Sequence, residues 1–235
     1  MSRASLFLVW VVCCIGVLQG CNDGFEPSLL ERPSILALRA TQDPAAESGR
    51  LYHLEALTHE VASIEWTVCP APWIPTVDGV ICPVPDFAVS LPPGEEAFTA
   101  TLDLTGIPLD DGTPLYIRAD ADDESVVPAI MSIVLGGTPR NPALNGLLMD
   151  GVSSDTWVRT DEGSVELSLE WGDADAAEGA TTAFFTTGGK FKPWRTTDGG
   201  ASVLDFQGVE DTITVYAISR YLGEGTSWFK VEVSP

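Results

Sequence analysis

Val165-Glu166-Leu167-Ser168-Leu169-Glu170-Trp171 decides the reading of this chain. Four apolar side chains alternate with Glu166, Ser168 and Glu170, the period of two that belongs to a strand with one dry and one wet face. Working outward, Thr182-Ala183-Phe184-Phe185-Thr186-Thr187 reads as the next strand. Thr212 to Ile218 and Ser227 to Val233 then form a terminal hairpin across Leu222-Gly223-Glu224-Gly225.

The same grammar runs through the first half. Ser34 to Thr41, Arg50 to Leu57 and Ala62 to Cys69 are strand candidates, and in the last of these Ile64, Trp66 and Val68 share a face opposite Glu65 and Thr67. After a long Pro-rich loop, Glu96 to Leu104, Pro114 to Ala119 and Ser125 to Leu135 supply three more. Gly136-Gly137-Thr138-Pro139-Arg140-Asn141-Pro142 combines glycine and proline as an inter-domain joint does. Six or seven short strands stand before that joint and the same scheme repeats after it; seven or so per roughly 100 residues is the count for an antiparallel sandwich.

The composition supports a folded chain. A formal charge of −22 on 235 residues would suit disorder, but 45% hydrophobic residues with seven Trp and nine Phe can build cores. An acidic surface of this size repels phosphate backbones and anionic headgroups, which argues against nucleic-acid partners.

Met1 to Gly20 has one positive charge, at Arg3, then an apolar run from Leu6 to Leu18 and a small residue at Gly20. These are the three parts of a secretory signal, and the run is shorter than the roughly 20 residues a membrane-crossing helix needs. Its end, Leu18-Gln19-Gly20-Cys21, resembles the lipobox of bacterial lipoproteins. That resemblance implies a diacylglycerol thioether on Cys21, cleavage after Gly20 and an acylated new amino terminus. Several acyl chains hold a protein stably at a membrane. By analogy with lipoprotein sorting in enterobacteria, Asn22 points to the outer membrane. Asn22 to Arg32 lacks strand alternation and reads as a short tether.

Arg32-Pro33-Ser34-Ile35-Leu36-Ala37-Leu38-Arg39-Ala40, Trp66 leading to Cys69, and Asn141-Pro142-Ala143-Leu144-Asn145-Gly146 followed by Val165-Glu166-Leu167 resemble tandem immunoglobulin-like lipoproteins of myxobacteria and related bacteria. Asp211-Thr212-Ile213-Thr214-Val215-Tyr216 is similar to the sixth-strand pattern of bacterial immunoglobulin-like and PKD-like domains. The expected fold is therefore all-β. It comprises two tandem antiparallel immunoglobulin-like sandwiches, residues 33–136 and 141–235, behind a signal peptide at 1–20 and a lipidated tether at 21–32.

Cys69 and Cys82 are left over after the lipid site, and in an exported protein they most simply pair, which for so short a loop contributes about 3 kcal/mol. The loop they close contains Pro72, Trp73, Ile74 and Pro75. Held in a preset shape, Trp73 and Ile74 would make a recognition anchor. The alternative is that Trp73 folds back over the end of the sandwich core. Asp120, Asp122 and Asp123 form one of several acidic clusters in predicted loops; converging carboxylates bind calcium, whereas a bare acidic run is more often a solvated turn. His53 and His59 are read as a surface pair, and no nucleophile or metalloprotease motif accompanies them.

The expected function is a non-catalytic, exported, lipid-anchored envelope protein that binds a protein or glycan partner or spaces one from the membrane, without a cofactor. Two alternatives stand beside it. One is a hydrolase using paired carboxylates on a β-sandwich, and the other is a calcium-stiffened adhesive module.

Overall fold

The computed structural model describes residues 26–46, 48–76, 79–84, 89–92, 94, 98–153, 156–159, 163–172, 175–221 and 225–235. The leader, Cys21 and the first tether residues, 22–25, lie outside the described residues. Every regular element among the described residues is a strand, so the all-β expectation holds.

Nine strands precede the glycine-proline joint: β1 (Ser34–Gln42), β2 (Leu51–His59), β3 (Ile64–Cys69), β4 (Ile74–Thr76), β5 (Gly79–Ile81), β6 (Val89–Leu91), β7 (Thr99–Asp103), β8 (Pro114–Ala121) and β9 (Ala129–Val134). A sheet ordered β1-β2-β7 faces a sheet ordered β6-β3-β8-β9, and β4-β5 is a separate hairpin. The core between the sheets is built on Tyr52, Trp66, Leu54, Leu102, Leu115 and Ile117, each no more than 1 or 2% exposed. Ile64, Trp66 and Val68 do share a face of β3, with Glu65 outside.

Ten strands follow: β10 (Leu144–Met149), β11 (Val152–Ser153), β12 (Thr156–Val158), β13 (Ser164–Trp171), β14 (Ala180–Thr186), β15 (Lys190–Lys192), β16 (Arg195–Thr197), β17 (Ser202–Asp205), β18 (Ile213–Tyr221) and β19 (Thr226–Ser234). They form sheets ordered β11-β10-β13-β17-β15 and β12-β19-β18-β14-β16. All pairings are antiparallel except β12 on β19. Leu167, Phe184, Phe191, Leu204 and Val215 fill the space between them.

The two sandwiches are joined face to face. Leu36, Ala37 and Leu57 from the outer face of β1-β2 pack on Phe185, Tyr216, Ile218 and Trp228 from the outer face of β14-β18-β19, with Leu30 beside them. This explains why β1 and β18 are apolar on both faces, since a core lies on each side. Polar contacts close the rim. The Arg39 guanidinium pairs with Glu55 and lies 4.4 Å above the Trp228 ring, and Arg220 donates to the Leu36 carbonyl at 2.6 Å.

The joint is pinned to both sides. Asn141 donates to the Ala40 carbonyl at 2.9 Å and accepts the Thr226 amide at 3.0 Å. Gly136 stands at φ 74°, where a Cβ would come within 3.0 Å of the Asp111 carboxyl carbon, so this turn requires glycine. The Tyr52 hydroxyl accepts the Gly136 amide at 3.0 Å.

The segment read as a tether does not hang free from Glu26 onward. Leu30 donates to the Thr186 carbonyl and Thr186 to the Ser28 carbonyl, both at 2.8 Å. The fully buried Ser28 hydroxyl accepts the Phe191 amide at 3.0 Å.

Candidate binding face on the first sandwich

Cys69 ends β3, Cys82 follows β5, and the two are joined as a disulfide with Cα atoms 5.8 Å apart. Cys69 is fully buried and Cys82 nearly so, so the bond sits beneath the β4-β5 hairpin and fixes its base to the sandwich. Across that hairpin Ile74 pairs with Ile81. Both are turned to solvent, 47% and 52% exposed, and Val84 just beyond is 39% exposed. Apolar side chains on a short exposed hairpin are costly in water and normally collapse inward; here the disulfide and Pro75 hold them out.

Trp73 is half-buried. Its ring lies 5.5 Å from the guanidinium carbon of Arg118, whose head pairs with Asp120. Arg118 stands on the outer side of β8, because Leu115, Ile117 and Ala119 take the inner side. Trp73 thus lies across the outer face of the four-stranded sheet and does not cap the end of the core. The cation-π contact orients the ring and leaves Ile74 as the projecting residue.

Three residues of this surface were missed from the sequence. Arg118 pairs across the ladder with Ile130, Tyr116 with Ser132 and Pro114 with Val134, so Ile130 and Val134 emerge on the same face, 49% and 51% exposed. Val127 before them is 80% exposed. The signal was present: Ala129-Ile130-Met131-Ser132-Ile133-Val134 is apolar at every position but Ser132, yet it is an edge strand.

The acidic cluster is arranged differently. Asp120 is engaged by Arg118, Asp122 accepts the Ser63 amide at 3.4 Å, and Asp123 accepts the Ser125 amide at 2.8 Å. Hydrogen bonds from Ser125, from its hydroxyl first and then its amide, hold Asp123 below the ordinary carboxylate value. Among the described residues no group of three or more His, Cys, Asp or Glu side chains converges as a metal site.

The histidines are not a surface pair. His53 is exposed, with Asp43 3.6 Å from its Nε2. His59 is 7% exposed because it ends β2 under the second sandwich, where its Nδ1 lies 3.3 Å from the Tyr216 hydroxyl. Burial lowers its pKa, Glu60 opposes that shift and Lys230 adds to it.

No family model and no curated protein matches the chain. Among solved structures it is similar to the two tandem V-type regions of a v-region-containing chitin binding protein, at 13% identity over 86% of this chain and 100% of the other, with a TM-score of 0.35. It is also similar to a two-domain fibronectin type-III segment of chicken tenascin, at 12% identity over 87% and 98%, with a TM-score of 0.28. Domains 1 to 5 of the immunoglobulin region of sidekick-1 match at 12% identity over 86% and 38%, with a TM-score of 0.26. The sandwich assignment rests on the strand order of the four sheets.

Proposed function

We propose that this chain is a non-catalytic, lipid-anchored envelope protein whose first sandwich presents a binding face to a protein or glycan partner. The observation that carries this reading is a set of exposed aliphatic side chains beside Trp73: Ile74 and Ile81 on the disulfide-based hairpin, Ile130 and Val134 on β9. Soluble monomers rarely leave such patches uncovered without a use for them. Aliphatic residues around an oriented aromatic favour a protein over a sugar.

The anchor would be Cys21. Glu26, where the docked segment starts, is five residue steps from it, a reach of at most about 18 Å. An outer-membrane lipid would therefore hold the second sandwich close and leave the chain little free tether. An intact-mass spectrum from the native membrane tests this part: diacylglyceryl and acyl mass on Cys21 supports it, and an unlipidated chain ends it.

The binding face is tested by a photo-crosslinking residue at position 74 in the native membrane, with the same residue at the exposed Val158 as control. A discrete adduct from position 74 that disappears with Ile81→Asp is the expected result. Equal yields from the two positions would remove the assignment.

A further inference from the structure

Strand β9 ends its sheet and pairs with β8 alone. Leu135 donates to the Thr113 carbonyl at 2.9 Å, which sets the phase of the ladder. Alternate residues of an antiparallel pair turn both backbone groups toward the partner, so Ile133, Met131 and Ala129 face β8. Ile130, Ser132 and Val134 direct theirs to the outer edge. Gly137 takes the Val134 carbonyl at 2.9 Å, and no strand among the described residues pairs with Ile130 or Ser132. Natural sheets blunt such edges with charge, proline or a cover; β9 has neither charge nor proline within its span, and β1 lies beside it without pairing.

The second sandwich treats the equivalent edge otherwise. There β19 is the last strand of the chain, pairs with β18, and takes β12 in parallel on its outer side, Trp157 opposite Val233. In the first sandwich that place is a cleft of about 510 Å3, lined by residues 35–38 of β1 and 127–132 on and before β9. Consecutive residues line both walls, so backbone as well as side chain faces the space. Beta1 carries its register shift here, between Ile35 and Ala37. The volume lies within the range of about 300–1,000 Å3 typical of ligand sites.

The cleft continues the interface between the sandwiches, since Leu36 and Ala37 belong to both, and Arg220, Tyr221 and Thr226 of the second sandwich close one end. Arg220 is the one charged residue in the lining and has no carboxylate partner among the described residues. In a chain of charge −22 a cation at the end of a cleft walled by backbone and aliphatic side chains selects for an anion.

We propose that this cleft receives an extended segment of a partner protein, added as a strand to the outer edge of β9 with a carboxylate set against Arg220. Backbone hydrogen bonds to Ile130 and Ser132 would supply affinity, and alternate apolar side chains in the cleft would supply specificity. The site adjoins the hairpin face, sharing Ile130 with it, and does not depend on the lipid.

The test uses the full mature chain and two acetylated peptides, Thr-Val-Thr-Val-Thr-Asp and its Lys-amide counterpart, read by amide exchange and chemical shift. The Asp peptide is expected to protect the amides of Ile130 and Ser132, and Arg220→Gln to weaken it about tenfold. The Lys peptide should bind less well. Ser132→Pro removes an outward N–H without touching the β8 ladder, so it should abolish binding while leaving the melting temperature near that of the parent. Absence of protection at millimolar peptide, or protection confined to Ile74 and Ile81, overturns the proposal. So does concentration-dependent protection without peptide, which would make a second copy the occupant.

Discussion

Ile218→Ala tests the face-to-face junction most directly. Ile218 is 1% exposed and belongs to the cluster at the junction, with Ala37 and Leu57 of the first sandwich, and not to the second sandwich's own core. The change removes three carbons, worth about 0.8 kcal/mol each in transfer alone. A residual cavity between two sheets that cannot collapse raises the total to about 3 kcal/mol, inside the usual range of about 2–5 for this substitution. For a chain of this length each kcal/mol shifts the melting temperature by about 2–4 °C, giving a fall of about 6–12 °C. Calorimetry and urea unfolding read it, with Val158→Ala, at a site 72% exposed, as the control expected to stay within about 0.5 kcal/mol. If Ile218→Ala melts within a degree or so of the parent, the sheets do not meet and the two sandwiches are beads on a string. A variant thermogram that splits into two transitions would instead show that this face is what makes the sandwiches melt together.

His59 makes the same junction sensitive to pH. Its folded pKa lies below the ordinary 6.5, so the unfolded chain takes the proton first; its contribution is complete above 6.5 and lost as pH falls below it. The melting temperature should drop more steeply between neutral and mildly acidic pH in the parent than in His59→Gln, and identical profiles would contradict this. Replacing Cys69 and Cys82 together by Ser should cost about 3 kcal/mol in urea, from a loop whose ends are 13 residues apart in sequence; a loss below about 1 kcal/mol would mean the hairpin constrains nothing. Millimolar calcium should leave the melting temperature unchanged because Asp120, Asp122 and Asp123 are already engaged separately; a rise abolished by changing all three to Asn would restore the calcium reading.

Much of the fold was legible because a half-buried strand writes its period into the chain. Val165 to Trp171 alternates as expected, with Leu167 and Leu169 inside and Glu166 and Glu170 outside. Strand β10 was not read from the sequence because Asn145 and Gly146 break its apolar run; the ladder shifts register between Leu144 and Gly146, and a Cβ on Gly146 would meet the Ser153 hydroxyl at 2.9 Å. Strands of three or four residues, such as β15, β16 and β17, are too short to display a period. The hairpin strands β4 and β5 were hidden in a proline-rich loop, although the cysteine pairing that ties them down was readable. Burial of His59 was not readable, because its cover is Tyr216, 157 residues away. Apolar residues on both sides of β1 and β18 announce two cores without saying which partner supplies the second.

That junction also decides which surface remains for a partner. The first sandwich loses the β1-β2 outer face to the second, and the second gives up part of the β14-β18-β19 face in return. Of the sheet faces left outside, β10-β13-β17 offers Glu166 and Glu170; β3-β8-β9 carries Glu65 and the Arg118–Asp120 pair as well, but adds Ile130 and Val134 along β9, with Trp73 and the hairpin isoleucines beside them. Desolvating a carboxylate costs far more than desolvating aliphatic carbon, so a partner gains most over the β9 and hairpin part of the first sandwich, away from Glu65. The pinned joint adds to this effect. With Asn141 bonded to both sandwiches, a partner that spans the hairpin face and the β9 edge meets surfaces already fixed in relation to one another, and ordering them at binding costs little.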